Sequence, residues 1–200
     1  MECRKENKFG EFCPECKKNY FLDGIWAPGD YEDDTISKMV KNLKYYFAKD
    51  VAEELGKYMS QFLQSLIAKN ILLPSPLAPK ILLDIKSALI IPIPLHKKRL
   101  RWRGCNQSDE IANVIAKNFN LTINRNDLIR IKYQKAQAKL EINDRKENVK
   151  NSFAWRGEDL KNKNIILVDD VATTGSTLNE AARVLKENNA GEIWGLVVGS

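Results

Sequence analysis

The sequence predicts an α/β protein whose parallel sheet is covered by helices on both faces. Three short apolar runs, at 88–93, 165–168 and 193–198, are typical of buried strands. Helical spacing of apolar residues falls between them at 106–118 and 176–188, and Gly191 supplies a helix stop. Strands that are continuously apolar rather than alternating indicate a parallel sheet.

Two further helices are expected before residue 70, because apolar residues recur there at intervals of three and four. The first contains Ile36, Met39, Val40 and Leu43, and the second contains Val51, Leu55, Tyr58, Met59, Phe62 and Leu66. Three prolines within 72–80 predict a connection after the second helix.

Length and charge limit the class of protein. A chain of 200 residues can form one full core and a small appendage. The net charge of +6 suggests an anionic partner, and a phosphorylated metabolite, a nucleic acid and an acidic protein all stay open. No apolar run reaches the roughly 20 residues that span a bilayer, and the N-terminus lacks the apolar core of a secretion signal. We therefore expect a cytoplasmic protein.

The first segment, 1–22, is rich in cysteine, and we expect it to stand apart from a main domain at 23–200. It contains Cys3, Cys13 and Cys16, the last two in a CxxC pair. In a reducing compartment such residues are thiols or metal ligands rather than disulfides. A closed zinc site needs four ligands, and no fourth ligand is evident. Either the segment binds zinc with a ligand upstream of the printed start, or the site is degenerate.

Two adjacent acids follow the second predicted strand, and a loop of small residues follows the acids. Asp169 and Asp170 are expected at the carboxyl end of the strand, where open α/β sheets bind ligands. The loop consists of Val171, Ala172, Thr173, Thr174, Gly175, Ser176 and Thr177. Unpaired N–H groups at the start of the next helix would bind a phosphate, whereas the acids would face sugar hydroxyls or a divalent cation. A ribose 5-phosphate suits both halves, and an N-cap with two acids favoured by the helix dipole is the simpler alternative.

The string VDDVATTGST resembles the phosphoribosyl diphosphate (PRPP) signature of type I phosphoribosyltransferases. The resemblance implies that family's parallel sheet flanked by helices, here with a small Cys-rich N-terminal segment. It implies that the catalytic residues Asp169 and Asp170 hold the ribose 2- and 3-hydroxyls, while 172–177 surround the 5-phosphate. It also implies Mg²⁺ as the cofactor of PRPP and displacement of pyrophosphate by a nitrogen nucleophile, with the acceptor open.

A basic segment follows the first predicted strand. It carries Lys97, Lys98, Arg99, Arg101 and Arg103. We predict a loop that binds the pyrophosphate, opposite the 5-phosphate loop, because guanidinium forks and ammonium charges suit phosphate oxygens. A solvated basic turn or a nucleic-acid patch is the alternative.

The order of the motifs is similar to that of the ComF (competence protein F) family. The stretch RGCNQ at 103–107 is similar to that family's RGFNQ, with Cys105 in place of phenylalanine. Further matches to the family pattern are Tyr31, Leu43, Lys44, Tyr45, Leu128, Ile129, Arg130, Gln137, Leu140, Arg145, Asn148 and Phe153. The corresponding region of type I phosphoribosyltransferases covers the site during reaction, which implies a lid that contains Arg130, Gln137, Arg145 and Asn148. A helix at 136–148 is compatible with such a lid.

Three functions remain open on the sequence. The first is a phosphoribosyltransferase that uses PRPP or another ribose 5-phosphate. The second is a non-enzymatic competence factor whose basic loops contact single-stranded DNA or a DNA-uptake helicase. The third is a regulatory protein that binds PRPP without catalysis.

Overall fold

The computed structural model describes residues 9–46, 49–72, 78–133 and 149–200. In the described chain the strands are β1 Gly24–Trp26, β2 Leu89–Pro92, β3 Thr122–Ile123, β4 Leu128–Arg130, β5 Phe153–Trp155, β6 Ile165–Val171 and β7 Ile193–Gly199. The helices are α1 Pro14–Lys17, α2 Asp34–Tyr46, α3 Lys49–Leu72, α4 Lys80–Leu83, α5 Lys97–Arg103, α6 Gln107–Phe119 and α7 Ser176–Glu187.

Five strands form one parallel sheet in the order β1-β7-β6-β2-β3, and β4 pairs with β5 in a separate antiparallel sheet. The predicted parallel α/β sheet is therefore confirmed. Its three predicted strands correspond to β2, β6 and β7. The sequence pattern missed β1, β3, β4 and β5, because strands of two or three residues are too short to show a period.

The central strand β6 is longer than the apolar run that predicts it. Backbone pairing with β7 continues through Asp169, opposite Val197, and ends with Val171 opposite Gly199. Both acids therefore lie inside the strand rather than beyond its end. Because β7 continues alongside, hydrogen bonding extends the strand past the point where hydrophobicity stops.

Helices cover both faces of the sheet. Ile166 and Val168 point into a core formed with α2, α3 and α6. Their neighbours Ile165 and Leu167 point into a second core formed with α7 and the β4–β5 pair. The alternation explains why the run at 165–168 is apolar on every residue.

The predicted basic loop is instead a helix, α5. His96 accepts a hydrogen bond from the Lys98 backbone N–H at 3.2 Å and caps the first turn. Gly104, with φ of 79°, ends the helix and donates to the Leu100 carbonyl at 2.8 Å. Lys, Arg and Leu are good helix formers, so propensity outweighs the charge that suggests a loop.

Residues of the Cys-rich segment pack against the sheet. Phe9 is buried in the first core, and its carbonyl accepts a hydrogen bond from the Trp26 indole at 2.7 Å. Leu22 is fully buried in the second core. The division at 22 and 23 stays a prediction. Within the described ranges, no helix is both long and apolar enough to cross a membrane.

The contact between α3 and α6 depends on a glycine. A Cβ atom on Gly56 would lie 2.6 Å from Cβ of Val114, closer than side chains tolerate. This close approach positions α6, which carries site residues at its first turn.

We expect Gly56→Ala to lower the free energy of unfolding by roughly 1–3 kcal/mol, because the added methyl group forces the two helices apart. Urea denaturation, monitored by circular dichroism, measures this free energy of unfolding. Gln61→Ala, at an exposed position of the same helix, is the control and should change stability by less than about 0.5 kcal/mol. A more stable Gly56→Ala protein, as helix propensity alone would give, would contradict the packing argument.

Candidate functional site

A polar pocket of about 310 Å³ lies where β2 and β6 end. Four cationic side chains and two carboxylates line it: Lys44, Arg99, Arg103, Arg130, Asp169 and Asp170. They come from four different elements, namely α2, α5, β4 and β6. Ligands of open α/β sheets bind at this edge, so the pocket is the candidate site.

A larger cavity of about 890 Å³ opens at the other end of the strands, around Leu89, Thr122 and Lys163. Leu89 begins β2 and Thr122 begins β3, so this cavity lies at the amino ends of the strands. Its volume is greater, but the two acids singled out by the sequence lie in the smaller pocket.

The two acids have different partners. Asp169 Oδ1 accepts hydrogen bonds from the Ser108 hydroxyl at 2.8 Å and from the Asp170 backbone N–H at 2.9 Å. The Asp170 carboxylate pairs with the Lys44 ammonium at 3.1 Å. Burial and the neighbouring Asp170 charge raise the pKa of Asp169 to about 7, against the effect of Ser108 and Lys44.

The small loop runs from β6 into the first turn of α7. Gly175 has a left-handed φ of 68° directly before Ser176, where the helix begins. The Thr174 and Ser176 hydroxyls lie 2.8 Å apart, and Thr177 lines the pocket beside the acids. A helix start and hydroxyl groups therefore lie next to the carboxylates, which is the arrangement that a phosphorylated sugar needs.

The basic residues of α5 separate onto two faces. Arg99 and Arg103, one helical turn apart, line the pocket, and Arg103 is buried and donates to Gln107 Oε1 at 2.8 Å. Lys97, Lys98 and Arg101 are exposed and do not line it. The helical period of 3.6 residues produces this division, which a loop would not impose.

Arg130 approaches from β4, and its guanidinium lies 5.3 Å from the centre of the Phe153 ring. Burial lowers the pKa of Arg130, the Asp169 charge opposes this effect, and the Arg99 charge adds to it. The other predicted lid residues, Gln137, Arg145 and Asn148, lie outside the described residues, as does the whole of the helix expected at 136–148.

The CxxC pair forms a single turn in which the Cys16 backbone N–H points to Cys13 Sγ at 3.5 Å. Cys3 lies outside the described residues. In the ranges that the structure covers, no group of three or more potential metal ligands comes together. Zinc binding by Cys3, Cys13 and Cys16 stays a prediction.

The two side chains that contact the acids, Lys44 and Ser108, had no predicted role. Lys44 matched the family pattern without one, and Ser108 lies just after the RGCNQ stretch. Lys44 and Ser108 are identified by their contacts with the acids. These contacts join elements that are distant in sequence.

Comparison with known proteins agrees with this geometry. Residues 107–198 match the family model of the phosphoribosyl transferase domain. The match contains α6, both acids, the small loop, α7 and nearly all of β7. The chain therefore carries a phosphoribosyltransferase domain, on the parallel sheet that such a domain requires.

Three relatives indicate which phosphoribosyltransferase-domain proteins the chain is similar to. The chain is 38% identical over 111 residues to Competence protein F of Haemophilus influenzae, covering 54% of this chain and 48% of that protein. It is 36% identical over 104 residues to Competence protein ComFC of Bacillus subtilis, covering 51% and 40%. It is 29% identical over 162 residues to DNA utilization protein YhgH of Salmonella typhi, covering 80% and 65%. The chain therefore carries a phosphoribosyltransferase domain and has homologues named Competence protein F, ComFC and YhgH, as the resemblance predicts, and it spans 40% to 65% of the length of these relatives.

The raised pKa of Asp169 has a consequence for stability. A carboxyl group whose pKa is higher in the folded than in the unfolded protein stabilises the fold at low pH, and this contribution is lost as the pH rises from about 4 to about 7. We expect Asp169→Asn to raise the free energy of unfolding at pH 8 by roughly 1–3 kcal/mol, because the amide keeps the acceptor for Ser108 without the buried charge.

The increase in the free energy of unfolding caused by Asp169→Asn should become smaller as the pH falls from 8 towards 4. Urea denaturation at several pH values measures this change. Asp84→Asn, a change at an exposed acid, is the control. An Asp169→Asn protein that is less stable than wild type at pH 8 would contradict the stated cause.

Proposed function

We propose that the protein binds PRPP in this pocket and displaces its pyrophosphate with a nitrogen nucleophile. One observation carries the proposal: the carboxylate pair, Thr177 in the first turn of α7 and three arginines all line one pocket. PRPP combines a diol with a 5-phosphate and a pyrophosphate, so it offers a group to each of these three sets of residues.

The charges of the pocket favour such a ligand. Four cationic side chains face two carboxylates, so the pocket carries a positive surplus that suits a polyanion. In this proposal Asp169 and Asp170 accept hydrogen bonds from the ribose hydroxyls, and the loop from Ala172 to Thr177 binds the 5-phosphate. Arg99 and Arg103 bind the pyrophosphate.

The chemistry asks for positioning and charge rather than a covalent nucleophile. The bond from C1 to the pyrophosphate oxygen breaks as the acceptor nitrogen approaches, and the departing pyrophosphate takes the electron pair. Mg²⁺ commonly binds through substrate phosphates and one or two carboxylates, so Asp169 and Asp170 fit a cation that enters with PRPP. When bound, it adds positive charge at the leaving group.

Calorimetric titration of PRPP with Mg²⁺ tests the proposal. We expect Arg99→Ala to weaken PRPP and pyrophosphate binding by roughly 10- to 100-fold, because it removes a charge-assisted contact. Arg101→Ala, on the exposed face of the same helix, is the matched control and should stay within about threefold.

The proposal is overturned if titration of the wild-type protein with PRPP and Mg²⁺ gives no heat of binding. It is also overturned if the double variant Asp169→Asn with Asp170→Asn binds PRPP as tightly as wild type. Catalysis is tested separately, by pyrophosphate release across purine, pyrimidine and amine acceptors. Binding without release from any acceptor would favour a regulatory protein.

A second candidate function rests on the outer face of α5. Trp102 is 72% exposed there, among the exposed Lys97, Lys98 and Arg101. Tyr133 lies nearby, with Lys98 Nζ 5.4 Å from its ring centre. Aromatic rings on which bases stack, beside cations that contact phosphates, suit single-stranded nucleic acid, and the names of the relatives refer to competence and DNA utilization.

We expect Trp102→Ala to weaken binding of a fluorescent single-stranded oligonucleotide by roughly 5- to 100-fold, because one stacked base is lost. Lys97→Ala with Lys98→Ala should weaken it further and flatten its dependence on salt. Leu83→Ala, at an exposed apolar residue outside α5, is the control. If Trp102→Ala binds every single-stranded oligonucleotide tested as tightly as wild type, this second candidate function is ruled out.

A further inference from the structure

Lys44 brings the N-terminal half of the chain into the pocket. Its ammonium lies 3.1 Å from Asp170 Oδ1, and the two side chains are only 22% and 12% exposed. Lys44 belongs to α2, outside the residues 107–198 that match the domain model. A residue from outside the matched part therefore contributes to the pocket.

The position of Lys44 is fixed by helix packing. Val40 and Leu43 of α2 are buried in the first core. Val40 precedes Lys44 by one helical turn, so the stem of Lys44 leaves from a packed face of the helix. Lys41, on the same helix, is exposed to solvent.

The two acids depend on different elements. Asp169 is oriented by Ser108 of α6 and by a backbone N–H, whereas Asp170 is oriented by the ammonium from α2. Asp170 is 9% exposed, and a carboxylate at that depth needs a charged or hydrogen-bonding partner to hold it in place. The other cations approach from elsewhere, Arg99 and Arg103 from α5 and Arg130 from β4.

We propose that Lys44 is a positioning residue that orients Asp170 and thereby gives the pocket its preference for a sugar phosphate with a vicinal diol. The inference rests on the proposed function, because it takes the acid pair as the site of the ribose hydroxyls. A carboxylate whose orientation is fixed accepts a hydrogen bond from a hydroxyl at one position of the sugar. A pocket with such a carboxylate rejects the deoxy analogue, because the analogue lacks that hydroxyl. Without Lys44, the Asp170 carboxylate would no longer be held in one orientation, and the preference for a sugar phosphate with a vicinal diol would fall.

The ratio of two dissociation constants isolates this role. Calorimetry measures ribose 5-phosphate and 2-deoxyribose 5-phosphate binding to wild type, Lys44→Met and Lys41→Met. Both ligands carry the same phosphate, so a general loss of positive charge changes both constants alike and leaves the ratio intact. We expect wild type and Lys41→Met to prefer ribose 5-phosphate by at least about tenfold, and Lys44→Met to reduce that preference to less than about threefold.

Lys44→Arg keeps the positive charge and should recover part of the preference. If Lys44→Met does not fold, Lys44→Gln takes its place; its amide is uncharged and its side chain is shorter, so it should hold Asp170 less firmly, and the preference should fall by at least about threefold. A folded Lys44→Met or Lys44→Gln protein with the wild-type ratio overturns the inference. Tighter ribose 5-phosphate binding after Lys44→Met also overturns it, because Lys44 would then block the pocket.

The failure of the proposed function gives a different result. If wild type binds neither sugar phosphate, or binds both equally, then the assignment of the acid pair to the ribose hydroxyls fails. If wild type shows the preference and Lys44→Met retains it, then only the role of Lys44 fails.

Discussion

The placement of two adjacent carboxylates inside the central strand, with Asp169 half-buried and Asp170 buried, is the constraint on which the pocket depends. Asp169 and Asp170 are held in β6 by backbone pairing with β7, so neither can withdraw to solvent. A buried carboxylate is stable only where donors or cations meet it. Ser108 and Lys44 meet this requirement from α6 and α2, and the packing of those helices is therefore part of the site.

The same constraint explains why the site extends beyond the matched domain. The match begins at residue 107, yet Lys44, Arg99 and Arg103 precede it and line the pocket. Parallel strands bring their carboxyl ends to one edge of the sheet, so the segment after β2 meets the segment after β6. The first half of the chain is thus a structural and electrostatic part of the candidate site.

Helix α5 separates two kinds of surface. Its inner arginines belong to the pocket, whereas its outer face exposes Trp102 and Arg101. The proposed PRPP site and the candidate surface for single-stranded nucleic acid therefore share one short helix. Since the two faces are distinct, substitutions on one face test one proposed function without altering the residues assigned to the other.

The sequence by itself determined the parallel α/β class, the three central strands, the principal helices and the string from Asp169 to Thr177, because apolar period and motif are local properties. It did not determine that β6 continues through the acids, since pairing with β7 decides this. Nor could spacing show which cations of α5 face the pocket, because that depends on how the helix is docked. The contact between Lys44 and Asp170 joins distant parts of the chain through two packed helices and a sheet. Only the tertiary structure decides such contacts, since their energy depends on neighbours that a linear pattern does not contain.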